Sequence, residues 1–394
     1  MILNLKIGWV QHLVLILGVL AVGTESLIMS PLIEEIGQSF DVDVFMTGWA
    51  VSAYGLTLAT TAPLIALFCR KIARVRLMFA GMMFFCIASL WCAISNSFFE
   101  LLLARAFCGI GAGLYVPSCY AWIGNHVPYE IRAKFMGRVM AGWSMALIFG
   151  VPVGTFLAEN FGWRAAFIVV SVVALCALLG LFLLPRLSDK LSSEGPAYAE
   201  VRFVFQGSSR KILLINFLNM LSFYVCYTFL GVAIMGGLNV GNSIFGLLVV
   251  FYGLGLMLST MNGRLLDKIG KQKALWFSNL GLIAVFSFLA LSFFNFWVIA
   301  LCLGVWGVFQ GVAQTSAATL MTLSAGESRG FAMACMSSTT YLAVALGAGL
   351  GGWLMQYDGF SSIALISLLA VMMACLLVRK PLIVEVGNNF SKFS

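Results

Sequence analysis

The stretch that decides the fold is Gly263-Arg-Leu-Leu-Asp-Lys-Ile-Gly-Lys-Gln-Lys273, which has an altered copy earlier in the chain. An offset of 197 residues, half the chain length, places Ala66-Leu-Phe-Cys-Arg-Lys-Ile-Ala-Arg-Val-Arg76 at the same position. The same offset aligns Gly150-Val-Pro-Val-Gly154 with Gly347-Ala-Gly-Leu-Gly351. Several matches at one offset indicate an internal duplication, which predicts two homologous halves.

The composition places both halves in a membrane. The 394 residues are 61% hydrophobic and 10% charged, whereas soluble domains carry about 25% charged residues. A spanning helix needs about 20 mostly apolar residues. The sequence predicts twelve such spans, at 8–32, 47–69, 77–95, 98–123, 138–158, 165–185, 212–236, 243–265, 274–293, 295–322, 331–355 and 361–378.

Positive charge is concentrated on one side of this predicted topology. With the N-terminus in the cytoplasm, every Lys and Arg except Arg105 and Arg164 falls in a cytoplasmic segment, as the positive-inside rule requires. The net charge of +8 therefore reflects topology, and no basic stripe with interleaved aromatic residues indicates nucleic-acid binding. We predict a multi-pass membrane protein with both termini in the cytoplasm.

The division into domains follows from the repeat and the longest polar stretch. We predict a six-helix bundle at 1–186, a cytoplasmic linker at 187–211 and a second six-helix bundle at 212–394. Paired halves that rock against each other around a midplane site are a transporter design. A receptor or a membrane-embedded enzyme has no such need for two matched halves.

The sequence offers no constellation typical of a metal site or an enzyme. Ten cysteines lie in or at the ends of apolar runs without a CxxC pair, and the two histidines are isolated. One buried acid does not supply a paired-acid or Ser/His arrangement, and no GxxxxGK[ST] loop indicates ATP use. We therefore predict no enzyme activity, no metal and no cofactor.

Two ionisable residues, Glu25 and Arg105, are predicted to lie deep within spans. A central Arg costs about 2.5–3.5 kcal/mol even on the lowest scale, so Arg105 must face an acid, the bundle interior or water; snorkelling to the interface is the alternative. Burial favours a neutral carboxyl and a nearby cation favours an ionised one. Glu25 is thus a candidate for reversible proton binding assisted by Arg105, and a neutral structural glutamate is the alternative.

Polar side chains on other spans are candidates for lining a substrate cavity. Asn216 and Asn219 are spaced i,i+3 and Gln310 and Gln314 are spaced i,i+4, so each pair shares one helix face. Hydrogen bonding between helices is the alternative role for each residue. The candidates are Tyr54, Tyr115, Asn216, Asn219, Tyr227, Gln310, Gln314 and Ser337.

The repeated stretch resembles the signature loop of the major facilitator superfamily, G-x-x-x-D-[RK]-x-G-[RK]-x-[RK]. The matching residues are Gly263, Asp267, Lys268, Gly270 and Lys271. The first-half copy has Arg70 instead of the acid, so a charge latch there depends on the cations Arg70, Lys71 and Arg74. Arg105-Ala-Phe-Cys-Gly109 resembles the superfamily's R-x-x-x-G segment, with Cys108 at the position of the usual Gln.

Two further segments are similar to those of proton-coupled exporters. Gly150-x-Pro152-x-Gly154 resembles the antiporter signature of the fifth span, although ordinary small-residue packing is the alternative. Gly23-Thr-Glu25 is similar to the first-span element of drug:proton antiporters of the arabinose-efflux-permease type.

The resemblance implies an all-α fold of twelve transmembrane helices in two pseudo-symmetric six-helix bundles. It further implies rocker-switch antiport, in which protons drive efflux of a drug, sugar or metabolite through a monomer. Uptake or facilitated diffusion by the same fold is one alternative. A membrane sensor or scaffold that transports nothing is another.

Overall fold

A computed structural model describes residues 9–69, 72–184, 207–261, 269–291, 295–325, 329–357, 359–379 and 382. The chain contains a π-helical segment, Ala146–Gly150, and a 3-10 turn, Leu181–Leu183. The α-helices are α1 (Trp9–Leu27), α2 (Met29–Phe40), α3 (Val44–Phe68), α4 (Arg74–Ile94), α5 (Phe98–His126), α6 (Tyr129–Met145), α7 (Val151–Phe161), α8 (Trp163–Gly180), α9 (Gly207–Leu238), α10 (Asn242–Met261), α11 (Lys271–Ala290), α12 (Phe296–Ser324), α13 (Arg329–Tyr357) and α14 (Phe360–Val378).

The helices supply twelve spans. Within the described ranges, 11 helical segments are long and apolar enough to cross a membrane, and α6, the π-helical segment and α7 contribute one of them together. The twelfth is α3, which has 25 residues and occupies the place in the first half that α10 occupies in the second. The predicted all-helical fold with twelve spans is therefore confirmed.

Three of the predicted spans differ from the helical segments by at least five residues at one end. The first was expected to end at residue 32, but α1 stops before Ile28 and α2 continues to Phe40. Pro31 has no N–H for the carbonyl of Leu27 four residues earlier, which accounts for this interruption. The fifth span begins at Tyr129 rather than 138 and the seventh at Gly207 rather than 212, because the helix continues into the adjoining polar residues.

The halves repeat each other in helix bounds and in packing. Adding 197 to the bounds of α4, α5 and α8 gives those of α11, α12 and α14 to within one residue. The contacts repeat as well: α4 packs on α5 and α8, just as α11 packs on α12 and α14. This agreement extends the sequence repeat to the level of the fold.

Two helix pairs make the most extensive contacts between the halves, and the repeat relates one pair to the other. They are α3 with α13 and α7 with α10, and α2 also packs against α9. We call the side that carries Leu184 and Gly207 the linker face, and the side that carries residues 41–43, Gly162 and 239–241 the distal face. Small residues allow the close approach of α3 and α13, since a Cβ on Gly55 would lie 2.9 Å from the backbone oxygen of Tyr341.

Gly109 provides a test of the packing between α3 and α5. A Cβ at this position would collide with the carbonyl oxygen of Tyr54 and the hydroxyl of Thr57, whereas one at Gly124, on the same helix, has nothing within 4 Å. We expect Gly109→Ala to destabilise the protein by about 1–3 kcal/mol and Gly124→Ala to be neutral or slightly stabilising. Thermal unfolding of both variants in detergent checks this, and equal unfolding temperatures would contradict the packing.

Candidate functional site

The two buried charges form an ion pair between α1 and α5. Arg105 Nη1 donates to Glu25 Oε1 at 2.7 Å, and both side chains are 0% exposed. The same nitrogen also donates to the backbone oxygen of Glu25 at 3.2 Å. The snorkelling alternative for Arg105 is therefore wrong, because the carboxylate holds the guanidinium in the interior.

Three further helix contacts fix this pair. Arg105 Nε donates to the backbone oxygen of Ala50 on α3 at 3.2 Å. Its guanidinium also lies over the ring of Tyr54, 4.6 Å from the ring centroid, which is a cation–π contact. Ser89 on α4 donates its hydroxyl proton to Glu25 Oε2 at 3.2 Å. The pair thus connects α1, α3, α4 and α5.

The predicted antiporter segment packs directly beside Glu25. Gly150 lies against the hydroxyl of Thr24, and a Cβ on Gly154 would come within 2.6 Å of Ile28 Cδ1. Pro152 has no N–H for the carbonyl of Ile148, and the chain before it adopts the π-helical segment. The glycines let this span approach α1 at the height of the ion pair.

The seam between the halves is the set of contacts that α3 makes with α13, α7 with α10 and α2 with α9. Polar contacts at the distal end of α1 close this seam. Pro31 leaves the carbonyl of Leu27 without its usual donor, and the hydroxyl of Tyr227 on α9 donates to this oxygen at 3.3 Å. Ser30 donates to the backbone oxygen of Tyr227. Further towards the membrane centre, Ser52 on α3 donates to the backbone oxygen of Ala345 on α13 at 2.7 Å.

Two carboxylates of the first half hold the start of α10 in the second half. Glu159 accepts from the backbone N–H of Ser243 at 2.7 Å. Glu35 accepts from the side chain of Asn242 at 3.2 Å and from the backbone N–H of Trp163 at 2.8 Å. Burial raises the pKa of Glu35, and these two hydrogen bonds partly oppose the rise. The distal face is closed in this structure.

Comparison with known proteins identifies the family. The sequence profile of the Major Facilitator Superfamily matches residues 14–207 and 212–389. The chain belongs to the Major Facilitator Superfamily. It is similar to the uncharacterised MFS-type transporter YwfA of Bacillus subtilis (strain 168), with 32% identity over 361 residues, 90% of this chain and 87% of that protein.

Two other relatives have more specific names. The inner membrane transport protein YdhP of Escherichia coli (strain K12) is 23% identical over 387 residues, 96% of this chain and 98% of that protein. A probable sugar efflux transporter of Pasteurella multocida (strain Pm70) is 24% identical over 348 residues, 86% of this chain and 84% of that protein. The chain is accordingly a multi-pass membrane transporter of this superfamily and not an enzyme.

The superfamily's signature loop lies largely outside the described residues. Those positions are Gly263, Asp267 and Lys268 in the second half and Arg70 and Lys71 in the first. Gly270 is described and has φ +90°, a conformation that favours glycine. Lys271 begins α11 and Arg74 begins α4, so the two copies of the loop lead into equivalent helices.

The predicted cavity residues divide into two groups. Some already have partners within the protein: Asn216 donates to Thr339, Thr340 and Met336, Tyr115 to Leu15, Tyr227 to Leu27, and Gln314 to Met220. Others have buried polar atoms with no hydrogen-bond partner among the described residues, namely the Tyr54 hydroxyl, Asn219 Oδ1 and both amide atoms of Gln310. Ser337 is half-buried. The second group is the better source of hydrogen bonds for a substrate.

Sequence reasoning missed several residues of the site. They are Ser89, Glu35, Glu159 and Cys92, and the sequence identifies Cys108 only as the residue in place of the usual Gln, although the thiols of Cys92 and Cys108 both lie near Glu25. The serines and cysteines sit in apolar runs without any local pattern. The two carboxylates looked like ordinary acids of an outer segment, because their partners are distant in the sequence.

The ion pair can be tested by a double-mutant cycle on stability. Breaking a buried pair leaves one charge uncompensated and costs about 3–5 kcal/mol, whereas removing both charges costs much less. We expect Glu25→Gln and Arg105→Met each to lower the apparent unfolding temperature, and the double variant to unfold above the more damaged single variant. Glu34→Gln, at an exposed position on α2, is the control. Additive losses would contradict a direct pair.

Proposed function

We propose that the protein exports a small molecule in exchange for protons, with Glu25 as the proton-binding group. The observation that carries this proposal is the fully buried Glu25–Arg105 pair at 2.7 Å. A proton on Glu25 removes its negative charge and leaves Arg105 without a counter-ion. The protonated and ionised states therefore favour different arrangements of the helices around the pair.

The pair is linked to the seam between the halves by two routes, one through α3 and one through α1. Through the backbone oxygen of Ala50 it contacts α3, the helix that packs along α13. Through α1 it is two residues from Leu27, whose oxygen accepts from Tyr227 of the other half. A change in the charge of Glu25 thus acts where the halves meet, as alternating access requires.

The substrate is proposed to bind between the halves, near the polar atoms that have no protein partner. Tyr54, Asn219 and Gln310 supply one hydroxyl, one amide oxygen and one complete amide. Such a set suits a small molecule with several hydrogen-bonding groups, such as a sugar, drug or metabolite. The name of the Pasteurella relative, a probable sugar efflux transporter, supports the export direction.

The location and topology follow from the charge distribution. We propose that the protein lies in the cell inner membrane with both termini in the cytoplasm, so that the linker face is cytoplasmic. The division at 187–211 into two six-helix domains and the monomeric state remain predictions. Transport that confers multidrug resistance would be one form of this activity.

The proton site can be tested without knowing the substrate. In lipid nanodiscs, infrared difference spectra between acidic and alkaline pH should contain the C=O stretch of a protonated carboxyl that disappears in Glu25→Gln. Glu34→Gln should keep this band because Glu34 is exposed. An unchanged band in Glu25→Gln would contradict the role of Glu25.

Transport itself is tested in a host that lacks its own efflux pumps. Wild-type protein should raise tolerance to one or more toxic compounds or sugars in a screen, and Glu25→Gln should lose this protection at equal expression. The identified compound can then be followed in inverted vesicles. Uptake driven by an inside-acid gradient supports antiport, uptake without a gradient indicates facilitated diffusion, and no transport in proteoliposomes indicates a sensor or scaffold.

The closed distal face gives a separate prediction. Glu35→Ala with Glu159→Ala removes acceptors from Asn242 and Ser243, so the first turn of α10 loses its partners across the seam. We expect the distal ends of the halves to separate. Spin labels on Asn96→Cys and Gln356→Cys, both exposed, measure this in a background with Cys69, Cys86 and Cys176 replaced by Ser.

The pH response of this opening has a definite sign. Because the pKa of Glu35 is raised in the closed arrangement, protons bind the closed form more readily than an open form in which Glu35 is hydrated. Wild-type protein should therefore close further as the pH falls through this pKa, and Glu35→Ala should lose the response. Glu34→Ala is the control and should remain closed. Opening of this control variant would contradict the assignment of the response to Glu35.

A further inference from the structure

Two cysteine thiols meet beside the ion pair, and the proposed function leaves them without a role. Cys92 lies on α4 and Cys108 on α5, one helical turn after Arg105. Their sulfur atoms and a carboxylate oxygen of Glu25 all lie within 4.8 Å of one another, and all three residues are buried.

We propose that Cys92 and Cys108 form a binding site for a soft divalent metal cation, with the carboxylate of Glu25 as a weaker third ligand. Thiolates select soft metals, whereas carboxylates suit hard ones. Metal–sulfur bonds are about 2.3 Å long, so a metal between two thiolates needs sulfur atoms at most about 4.6 Å apart. The sulfur atoms lie within 4.8 Å of each other, at most about 0.2 Å beyond this limit, so small side-chain rotations are sufficient to complete the site.

The coordination number favours a metal that is satisfied by few ligands. A structural zinc site takes four protein ligands, and the cluster in the described residues provides three, one of which is already bound to Arg105 and Ser89. A cation that accepts two thiolates, such as Hg²⁺, fits the cluster better. We therefore use Hg²⁺ as the probe.

The charge balance of binding suits a site surrounded by hydrocarbon. The reaction is M²⁺ + 2 RSH → M(SR)₂ + 2 H⁺, in which two S–H bonds break and two metal–sulfur bonds form, without oxidation. Two positive charges enter and two leave, so the neutral ion pair beside the site remains balanced. An uncompensated charge at this depth would be costly, which favours a divalent cation over a monovalent one.

Occupation of the site should also stop transport. The metal would join α4 to α5 and place a third group on the carboxylate that exchanges the proton. This consequence depends on the proposed function, whereas metal binding does not. The experiment therefore measures binding and proton exchange separately.

Binding is measured on the full chain in lipid nanodiscs, with Cys69, Cys86 and Cys176 replaced by Ser because these thiols are exposed or half-buried. Hg²⁺ is titrated and the near-ultraviolet thiolate-to-mercury absorption is followed. We expect one tight equivalent that is lost in Cys92→Ser/Cys108→Ser and weakened at least about 100-fold when either thiol is replaced alone, since linked ligands bind cooperatively.

The matched control removes two other buried thiols, Cys119 and Cys375. It should keep the tight equivalent. Size-exclusion chromatography and thermal unfolding check each variant, and Cys92→Ala/Cys108→Ala replaces the serine pair if that variant does not fold. An unchanged titration in the Cys92/Cys108 variant, or an equal loss in the control, would overturn the site.

The carboxyl infrared band separates this inference from the proposed function. Protein that binds one tight Hg²⁺ at these thiols but has no titrating Glu25 band supports the metal site and contradicts the coupling role of Glu25. A titrating Glu25 band without a tight Hg²⁺ equivalent supports the coupling role of Glu25 and contradicts the metal site.

Discussion

The rest of the structure depends on a carboxylate and a guanidinium that are buried together at the centre of the first half. Neither charge is tolerated alone at this depth, so each fixes the place of the other. Around them, α3 contributes a backbone oxygen and an aromatic ring, and α4 contributes a hydroxyl. An apolar pair of similar volume would stabilise the bundle about as well or better. Stability therefore does not explain why ionisable groups occupy this position, whereas the proposed proton exchange would.

The second half shows what the same fold does without the pair. At the offset of 197, Ser222 and Cys302 stand where Glu25 and Arg105 stand in the first half. The surroundings are aromatic there: Phe286, the counterpart of Ser89, packs edge-to-face on Trp306 with ring centroids 5.1 Å apart. The duplication has kept the helix packing but left the charges in one half only. In the proposed mechanism only the first half responds to protons, while the second half has aromatic packing at the equivalent position.

Most of the fold could be predicted from the sequence because helix existence in a membrane depends on local apolar length. The matching halves could be predicted too, since Gly150 and Gly154 repeat at a fixed offset and pack against α1 as Gly347 and Gly351 pack against α9. Helix ends were less predictable. The polar residues after Pro31 extend the first helix as α2, although an apolar window gives no reason to expect it.

The sequence predicts the site only at its ionisable residues, because burying a charge in a membrane costs free energy at any position. Glu25 and Arg105 are conspicuous in apolar runs, so their pairing could be anticipated. Ser89 could not, because nothing local distinguishes a serine that meets a carboxylate from one that bonds its own helix. The i,i+3 spacing put Asn216 and Asn219 on one face, but only packing decides that Asn216 has partners on α13 while Asn219 Oδ1 has none.

The contact between Ser30 and Tyr227 locates the axis of the internal repeat, about which the halves are proposed to rock. These residues are 197 positions apart, so each is the counterpart of the other. A residue can touch its own counterpart only close to the pseudo-two-fold axis that relates the halves. Glu25 lies five residues before Ser30, and its side-chain partners Arg105 and Ser89 both belong to the first half. Groups near the axis move least when the halves rock, whereas the seams around them open and close. The proposed proton-binding carboxylate of Glu25 can keep its partners within the first half while the contacts between the halves change, which is the property that the proposed coupling requires.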